Sequence, residues 1–341
     1  MKLEKLRCSD ISHLDIIWSL DWHPSGKILA TCSSDRRIKI WKQIQDRWQC
    51  INEIKHGHTR TIRRVRFSPS GKFLASCGFD SALTIYATDS FEVIDELDAH
   101  QSEVKCVQWS PCETMLATCS RDKDVWIWNV LKEECADNEI YPQFELMEIL
   151  HGHSQDVKYV AWSDNIKFLA SCSYDNDIRL YQFKMEDGNF AFIQTLRGHS
   201  STVWCCQFNS SSNRMVSSSD DRTFIVWKQV PDSSWQISFK SDAANLLHDG
   251  TIYSIAFYLN TNIIITASGD NKVRFFTKST NNFESWEALK SIEYSHSEDV
   301  NELRIYSCQQ SSNDLIASCS DDGTVIISKI NPNELMDTST I

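Results

Sequence analysis

The sequence predicts an all-β fold in which seven similar units close into a ring, a single seven-bladed β-propeller. Two regular spacings support this prediction. Seven aspartates each stand six residues before an aromatic residue or its substitute, and successive aspartates lie 42 to 53 residues apart. Six of them follow a histidine by 22 residues, and the seventh follows one by 26 residues. Self-similarity with a period of roughly 20 to 50 residues indicates a repeat architecture.

The repeated positions define where each unit begins. The histidines are His13, His58, His100, His153, His199, His248 and His296. The aspartates, each with the residue six positions later, are Asp35 with Trp41, Asp80 with Tyr86, Asp122 with Trp128, Asp175 with Tyr181, Asp221 with Trp227, Asp270 with Phe276 and Asp322 with Ser328. The segment CQQSSND accounts for the longer seventh spacing. One domain is therefore expected over residues 1–341, with blades beginning near residues 13, 58, 100, 153, 199, 248 and 296.

Four strands are expected in each unit. Between a histidine and its aspartate, as in HQSEVKCVQWSPCETMLATCSRD, two alternating apolar patterns flank a polar turn, which is typical of a β-hairpin. The hairpin returns the aspartate to its own histidine, where the carboxylate can accept an imidazole N–H. The aromatic residue lies on a third strand, and outer fourth strands are predicted at WQCINEIK, FEVIDELD, FELMEILH, FAFIQTLR and WEALKSIE. Residues 129–143, 230–245 and 278–284 are expected to be insertions between strands.

The N-terminal segment is predicted to complete the ring. Residues 3–10, LEKLRCSD, have the character of an outer strand although they precede the first histidine. We expect them to pair with the last blade, because this pairing leaves no open sheet edge. Residues 331–341 are too short and polar for a strand and are expected to form a C-terminal tail.

Charge and hydropathy narrow the function classes. The formal net charge of -12 and the pI of about 5.3 disfavour nucleic-acid binding, because nucleic acid is held mainly by arrays of Lys and Arg. The N-terminus lacks an apolar leader, and no stretch approaches the roughly 18 uninterrupted apolar residues of a membrane span. The predicted location is the cytoplasm, with the nucleus as a second compartment.

The thirteen cysteines are expected to be reduced thiols, because a secretory signal is lacking. Five of them stand three residues before a repeat aspartate, where cysteine acts as a small buried apolar residue. Each lies on a different blade, so they cannot gather into one metal or cluster site. The HGH pairs at 56–58 and 151–153 are an alternative metal site, but each includes a repeat histidine. No metal and no cofactor is predicted. The five cysteines are Cys32, Cys77, Cys119, Cys172 and Cys319.

The His, Ser and Asp of each unit resemble a nucleophilic triad in composition. Their repetition in every blade favours a structural network, since catalysis needs one such triad. Neither a P-loop, nor a dinucleotide fingerprint, nor paired glycosidase-like carboxylates occur as motifs. The sequence therefore predicts no enzymatic activity.

A partner site is predicted at one mouth of the central channel. The apolar positions after each histidine shift from even to odd spacing, which indicates a β-bulge near the start of the first strand. Such a bulge changes the direction in which the side chain at that position points. The residue five positions after the histidine should therefore face the mouth at the same end as the residue before the aspartate. The first set is Trp18, Arg63, Lys105, Lys158, Trp204, Tyr253 and Asn301. The second set is Ser34, Phe79, Arg121, Tyr174, Asp220, Gly269 and Asp321.

Blades 2 to 4 supply a concentration of cations and aromatics to this mouth. Arginine forks suit carboxylates, and aromatic and arginine side chains are common anchors of interfaces. The hypothesis is a site for an acidic segment, or for a C-terminal carboxylate with an adjacent aromatic, with Arg121 as the first contact; ordinary surface charge is the alternative. The cations are Arg63, Lys105, Arg121 and Lys158, and the neighbouring aromatics are Trp18, Phe79, Tyr174, Trp204 and Tyr253.

Four-stranded units with GH and a terminal Trp resemble WD40 repeats. The phrases TCSSDRRIKIW, GHTRTIRRVRFSPSGKFLAS, LATCSRDKDVWIWNV, GHSQDVKYVAW, SYDNDIRLY, GHSSTVWCCQF, SSDDRTFIVW, GTIYSIAF, HSEDVN and LIASCSDDGTV resemble the WD-repeat subunit of the cytosolic iron-sulfur protein assembly targeting complex. The resemblance implies a non-catalytic adaptor. With a small adaptor and a large helical-repeat scaffold, it would deliver clusters to cytosolic and nuclear apoproteins. Contact with an iron-only-hydrogenase-like carrier is also implied.

The resemblance further implies roles for single residues. The exposed arginine of SRDK is implicated in function in that family, and here it is Arg121. Some clients are recognised through a C-terminal tail that ends in an aromatic. The Leu-Tyr-Arg signature proposed to recruit a cochaperone is replaced by Leu180, Tyr181 and Gln182. Two other classes stay open: a generic WD40 adaptor in ubiquitin ligation, chromatin or signalling, and a cluster-binding or redox protein.

Overall fold

The computed structural model describes residues 6–45, 47–134, 140–231, 234–241, 248–258, 263–279, 285–307 and 314–330. Within these ranges the chain forms twenty-eight β-strands arranged as seven four-stranded antiparallel sheets. No helix in this part of the chain is long and apolar enough to span a membrane. The seven-bladed all-β propeller predicted from the sequence is confirmed.

The first strand, β1 (Leu6–Ser12), belongs to the last blade. Blade 1 consists of β2 (Ile17–Trp22), β3 (Ile28–Ser33), β4 (Ile38–Ile44) and β5 (Arg47–Ile54). Blade 2 consists of β6 (Ile62–Phe67), β7 (Phe73–Gly78), β8 (Ala82–Ala87) and β9 (Val93–Asp98). Blade 3 consists of β10 (Val104–Trp109), β11 (Met115–Ser120), β12 (Val125–Glu134) and β13 (Ile140–Leu150). Blade 4 consists of β14 (Val157–Trp162), β15 (Phe168–Ser173), β16 (Ile178–Lys184) and β17 (Asn189–Leu196).

The remaining blades repeat the same order. Blade 5 consists of β18 (Val203–Phe208), β19 (Arg214–Ser219), β20 (Phe224–Gln229) and β21 (Trp235–Lys240). Blade 6 consists of β22 (Ile252–Tyr258), β23 (Ile263–Ser268), β24 (Lys272–Lys278) and β25 (Trp286–Ser295). Blade 7 consists of β26 (Val300–Tyr306), β27 (Asp314–Ser320), β28 (Thr324–Ile330) and β1.

The ring is closed at blade 7, where the two ends of the chain share one sheet. Strand β1 pairs antiparallel with β28, with Leu6 opposite Ile327 and Ser12 opposite Thr324. The innermost strand β2 contacts β6 on one side and β26 on the other. The strand predicted at residues 3–10 is observed at residues 6–12, and residues 3–5 and 331–341 lie outside the described residues.

Apolar side chains fill the space between neighbouring blades. At the closure, Leu20 and Trp22 of blade 1 pack in one cluster with Ile327 of blade 7. Burial of such a layer between each pair of described blades provides the main favourable free energy of the fold. The five repeat cysteines, Cys32, Cys77, Cys119, Cys172 and Cys319, are free thiols with no exposed surface and belong to these layers.

Two sequence-based expectations about the outer strands are wrong. Residues 129–134 and 140–143 are not an insertion, because β12 and β13 continue through them as one long hairpin. Within the expected insertion 230–245, residues 235–240 form the outer strand of blade 5. This strand is held by Trp235, whose ring lies 5.7 Å from that of Phe168 and 5.6 Å from that of Phe208. The segment WQISFK shows no clear strand pattern, and the buried Trp235 at its start provides the packing that holds it.

A polar network inside each blade joins the histidine to the aspartate. The histidine Nδ1 lies 2.8 to 3.2 Å from the carboxylate of the aspartate in all seven blades. The histidine Nε2 lies 2.6 to 2.9 Å from a hydroxyl on the second strand. In three blades the tryptophan Nε1 donates to the same hydroxyl, as Trp128 does to Thr118 at 3.1 Å. The seven pairs are His13 with Asp35, His58 with Asp80, His100 with Asp122, His153 with Asp175, His199 with Asp221, His248 with Asp270 and His296 with Asp322.

The three donating tryptophans are Trp41, Trp128 and Trp227. Blade 7 has Ser328 at this position and therefore lacks the aromatic ring. There the hydroxyl of Tyr294, from the outer strand of blade 6, donates to Ser318 at 3.1 Å. The network is thus completed by a residue of the neighbouring blade, which the sequence spacing did not indicate.

Each aspartate also fixes the turn that follows it. The residue after the aspartate has a positive φ in every blade, and only in blade 7 is it a glycine, Gly323 with φ of 70°. A left-handed conformation is unfavourable for side chains such as that of Lys123, with φ of 79°. The carboxylate compensates by accepting backbone N–H groups, as Asp122 does from Asp124 at 3.1 Å and from Gln101 at 3.2 Å.

We expect this network to make the fold sensitive to acid. Burial lowers the pKa of His13, His199 and His248 below the usual 6.5 despite their aspartate partners. Although burial opposes ionisation, hydrogen bonds from histidine and backbone N–H groups lower the pKa of Asp80 and Asp175 to about 2. All of these groups bind protons more readily in the unfolded chain.

The free energy of unfolding should therefore change little between pH 7 and pH 8, fall as the pH drops below 6.5, and fall further below 3.8. Urea unfolding followed by tryptophan fluorescence between pH 8 and pH 3 measures this dependence. A urea midpoint that stays constant or rises on acidification would contradict the assignment.

Candidate functional site

Each innermost strand has a β-bulge at the fifth residue after the histidine. In blade 3, Val104 pairs with Ser120 and Cys106 with Cys119, so Lys105 is the extra residue. The same shift in register occurs in the other six blades. The bulge turns the extra residue toward one end of the ring, where the turns carrying the second predicted set also lie. The bulged residues are Trp18, Arg63, Lys105, Lys158, Trp204, Tyr253 and Asn301.

The cations and aromatics of this mouth contact one another. The Arg63 guanidinium lies 4.8 Å from the ring centroid of Trp18, and the Lys105 ammonium lies 4.1 Å from that of Phe79. In such cation–π contacts the positive charge is attracted to the face of the aromatic ring, which holds the ring in place. They link blade 1 to blade 2 and blade 2 to blade 3.

The series of contacts continues through blades 4 to 6. The Lys158 ammonium lies 5.1 Å from the ring of Tyr174 and 5.4 Å from that of Trp204. The ring of Trp204 lies edge-on to that of Tyr253, with centroids 5.3 Å apart. The contacts thus form two segments of an arc at the mouth, one from blade 1 to blade 3 and one from blade 4 to blade 6.

Acidic side chains that the sequence analysis did not include are part of the same arc. Glu103 accepts hydrogen bonds from Lys105 at 3.1 Å and from Arg121 at 3.3 Å, and Asp156 accepts one from Lys158 at 3.2 Å. These carboxylates stand two residues before the bulged lysines and partly neutralise the basic patch. Arg121 is the most accessible of the cations, with 59% of its side chain exposed.

The other half of the mouth is acidic. Asp220 accepts hydrogen bonds from Ser201 and Thr251, Asp299 accepts one from Tyr253, and Asp321 accepts one from Asn301. None of these three carboxylates forms an ion pair with a Lys or Arg of the described residues. Burial, together with neighbouring carboxylates, raises the pKa of Asp321. The mouth is therefore divided, with basic charge on blades 2 to 4 and acidic charge on blades 5 to 7.

Below the mouth, the channel contains a cluster of arginines around Glu302. Arg64 and Arg66 of blade 2 each donate at 2.5 Å to Oε1 of Glu302, which belongs to blade 7 on the other side of blade 1. Although burial opposes ionisation, the guanidiniums of Arg64, Arg66 and Arg304 lower the pKa of Glu302. Arg304 also donates to the hydroxyl of Tyr159 in blade 4 at 3.3 Å.

Residues of the cluster line two cavities. One of about 270 Å³ is lined by Asp21, Arg66, Gln108 and Arg304, and another of about 140 Å³ is lined by Tyr159, Glu302 and Arg304. The residues six and eight positions after each repeat histidine line this part of the channel. Their role was missed because the sequence analysis followed only the fifth position.

The described residues include no group of three His, Cys, Asp or Glu arranged to hold a metal ion. His151 of the second HGH pair contacts Asp124 at 2.7 Å, and burial raises the pKa of the Cys32 thiol to about 12. Tyr181, within the segment that departs from the Leu-Tyr-Arg signature, is buried in blade 4.

Comparison with known proteins supports the repeat assignment independently. The family model described as WD domain, G-beta repeat matches residues 5–42, 48–86, 91–129, 144–182, 190–228, 244–277 and 287–327. A probable cytosolic iron-sulfur protein assembly protein of Culex quinquefasciatus is 37% identical over 98% of this chain and 99% of its own. The chain belongs to the cytosolic iron-sulfur protein assembly family of WD40 proteins.

Other members of the cytosolic iron-sulfur protein assembly family show a similar degree of identity. The Caenorhabditis elegans protein is 34% identical over 91% of this chain and 92% of its own. A member from Scheffersomyces stipitis is 31% identical over 93% of this chain and 97% of its own. The similarity therefore extends over all seven blades.

Replacement of Glu302 by glutamine is expected to destabilise the fold. The side chain keeps its size, but Arg64 and Arg66 lose the carboxylate that neutralises them in a buried site. We expect the free energy of unfolding to fall by about 3 to 5 kcal/mol, measured by urea denaturation.

Glu53→Gln is the matched control, because Glu53 pairs with Arg37 on the partly exposed outer flank of blade 1. Its effect should stay below about 1 kcal/mol. Equal effects of the two substitutions would contradict the importance of the arginine cluster.

Proposed function

We propose that the chain is a non-catalytic scaffold of the cytosolic iron-sulfur cluster assembly machinery. It would help to deliver clusters to apoproteins of the cytoplasm and nucleus through contacts at the channel mouth, with residues 1–341 acting as one domain. The observation that carries this proposal is the family similarity over the whole chain, combined with a mouth built for contacts. The WD40 fold is generally a non-enzymatic scaffold.

The blade network supports a non-catalytic role. In a serine hydrolase the hydroxyl must be free to attack a substrate. Here the Thr118 hydroxyl is buried and bonded to both His100 and Trp128, at 2.9 and 3.1 Å. The same engagement occurs in blades 1 and 5. The histidines and hydroxyls thus stabilise the blades and leave no nucleophile accessible there.

The basic half of the mouth is proposed to bind the acidic end of a partner. Within the described residues, the side chain of Arg121 is held only by a hydrogen-bonded ion pair of 3.3 Å to Glu103, which Lys105 shares. Such an exposed pair contributes little free energy, so a partner's carboxylate can replace Glu103 at low cost. The guanidinium suits a C-terminal carboxylate or an acidic side chain, and Phe79 and Tyr174 offer surfaces for an adjacent aromatic.

The acidic half of the mouth would orient the partner. Asp220, Asp299 and Asp321 repel a negatively charged segment, so its acidic end is directed toward blades 2 to 4. This orientation follows from charge alone and does not require a particular client sequence.

The proposed partners are those of the targeting complex. They are the small adaptor, the large helical-repeat scaffold, the iron-only-hydrogenase-like carrier and apoprotein clients, some recognised through C-terminal aromatic tails. Nucleic acid and membranes are not among the proposed partners. The proposed site residues are Arg121, Arg63, Lys105, Lys158, Trp18, Trp204, Tyr253, Phe79 and Tyr174.

Charge reversal of Arg121 tests the mouth directly. Arg121→Glu should weaken binding of a labelled peptide that ends in an acidic residue and a C-terminal aromatic by about tenfold or more. The melting temperature should change by less than about 1 °C, because the side chain is exposed. Fluorescence anisotropy measures the dissociation constant, and amidation of the peptide terminus distinguishes a terminal carboxylate from an acidic side chain.

Arg197→Glu is the matched control. Arg197 is also exposed and is also held by one long ion pair, of 3.4 Å to Asp177, but it lies at the end of the outer strand of blade 4. Binding should be unchanged in this variant. Unchanged binding in Arg121→Glu, or an equal loss in both variants, would contradict the proposed contact.

Affinity purification from the native cell tests membership of the machinery. The tagged full chain should recover the small adaptor and the helical-repeat scaffold. Recovery of a ubiquitin-ligase or chromatin complex in their place would favour a generic WD40 adaptor.

A further inference from the structure

Arg63 is a half-buried arginine without a hydrogen-bond acceptor in the described part of the chain. Its guanidinium stacks on Trp18, and its Nη1 atom is closed off from solvent and unpaired. An arginine has five N–H donors and usually satisfies them with carboxylates or carbonyl groups. Arg63 therefore differs from Lys105 and Lys158, which both have carboxylate partners.

The next residue in the same strand has an unpaired donor as well. Arg64 extends across the channel, where its Nη1 donates to Glu302 of blade 7 and its guanidinium lies 4.9 Å from the ring of Tyr159 in blade 4. Its Nε atom is buried without a hydrogen-bond partner, and the residue as a whole is only 5% exposed. A buried, unsatisfied N–H of a charged group is costly unless a ligand accepts its hydrogen bond.

The charges of the channel do not balance. Arg63 at the mouth and Arg64, Arg66 and Arg304 below it carry four positive charges. Glu302 and Asp21 carry at most two negative charges, which leaves an excess of at least two positive charges. Burial and the charge of Arg64 lower the pKa of Arg63 to about 10, which agrees with incomplete neutralisation.

Arg66 and Arg304 are engaged elsewhere. Arg66 uses its Nε, Nη1 and Nη2 atoms for Gln108, Ser19 and Glu302 among others. Arg304 Nε makes no hydrogen bond, but it forms ion pairs with Glu302 at 3.4 Å and with Asp21 at 3.7 Å, and Arg304 Nη2 donates to Tyr159. Among the described channel residues, Arg63 and Arg64 thus present buried unpaired donors from adjacent positions of β6, whereas the unpaired donor of Arg304 already faces two carboxylates.

We propose that Arg63 and Arg64 hold a small monovalent anion, such as a halide, in the upper part of the channel beneath the mouth. The anion accepts hydrogen bonds from Arg63 and from Arg64 Nε and neutralises part of the excess charge. This site goes beyond the proposed function, because it needs no protein partner and is present in the isolated chain. A free anion stabilises the ring by binding only to the folded state.

The test uses the purified full chain at constant ionic strength. We expect the melting temperature to rise by about 2 °C or more when sodium gluconate is replaced by sodium chloride or sodium bromide. In Arg63→Met this rise should disappear. In Lys105→Met, which removes a cation at the equivalent bulge of the next blade, the rise should persist.

Equal melting temperatures in gluconate and in both halides would overturn the proposal. It would also be overturned if Lys105→Met abolished the rise while Arg63→Met retained it, because the anion would then bind at the rim.

Crystals of the native chain grown with bromide provide a second test that does not depend on the folding of a variant. Anomalous scattering should show a bromide between the side chains of Arg63 and Arg64. A map without a bromide there would contradict the site, whereas failure of peptide binding at Arg121 would leave it unaffected.

Discussion

The hydrogen bond between each histidine and its aspartate is the interaction on which the arrangement of the mouth depends. It joins the start of the innermost strand to the turn between the second and third strands, two segments about half a blade apart in sequence. The carboxylate also holds the left-handed residue of that turn. Because the same bond forms in all seven blades, the bulged residues and the turn residues are presented at one end of the ring with a common geometry. Side chains at those positions are then free to differ from blade to blade.

Charge is distributed unevenly in this protein. The chain as a whole is acidic, with a net charge of -12, yet the channel interior has an excess of arginine. The mouth lies between these regions and is itself divided into a basic and an acidic half. Charges interact more strongly inside a narrow channel of low dielectric constant than at a surface in contact with water, so the local charges of the channel and mouth outweigh those of the distant surface. A protein of this composition can therefore attract an anionic ligand to its axis although its surface repels anions on average.

Spacing alone predicts the fold, because the positions of histidine and aspartate recur with little variation. The bulge is also predictable, since it follows from a change of parity within one strand. The outer strand of blade 5 was missed because Trp235 packs against Phe168 and Phe208 of other strands, a contact without a local pattern. Arg64 and Glu302 meet although they are 238 residues apart, so no short window shows that they form a pair. Local spacing thus identifies which residues share an end of the ring, and packing decides which of them neutralise one another.

The pairing of β1 with β28 has a consequence for the order of folding. Strand β1 leaves the ribosome before the other strands of the ring, but its partner β28 is made after all of them. Until then the flank of blade 1 that carries Leu20 and Trp22 has no blade 7 to cover it. Contacts between such distant parts of a chain form slowly, and uncovered apolar surface favours aggregation during the delay. The nascent chain must therefore keep one blade face exposed throughout synthesis, which is a time at which a chaperone can act on it.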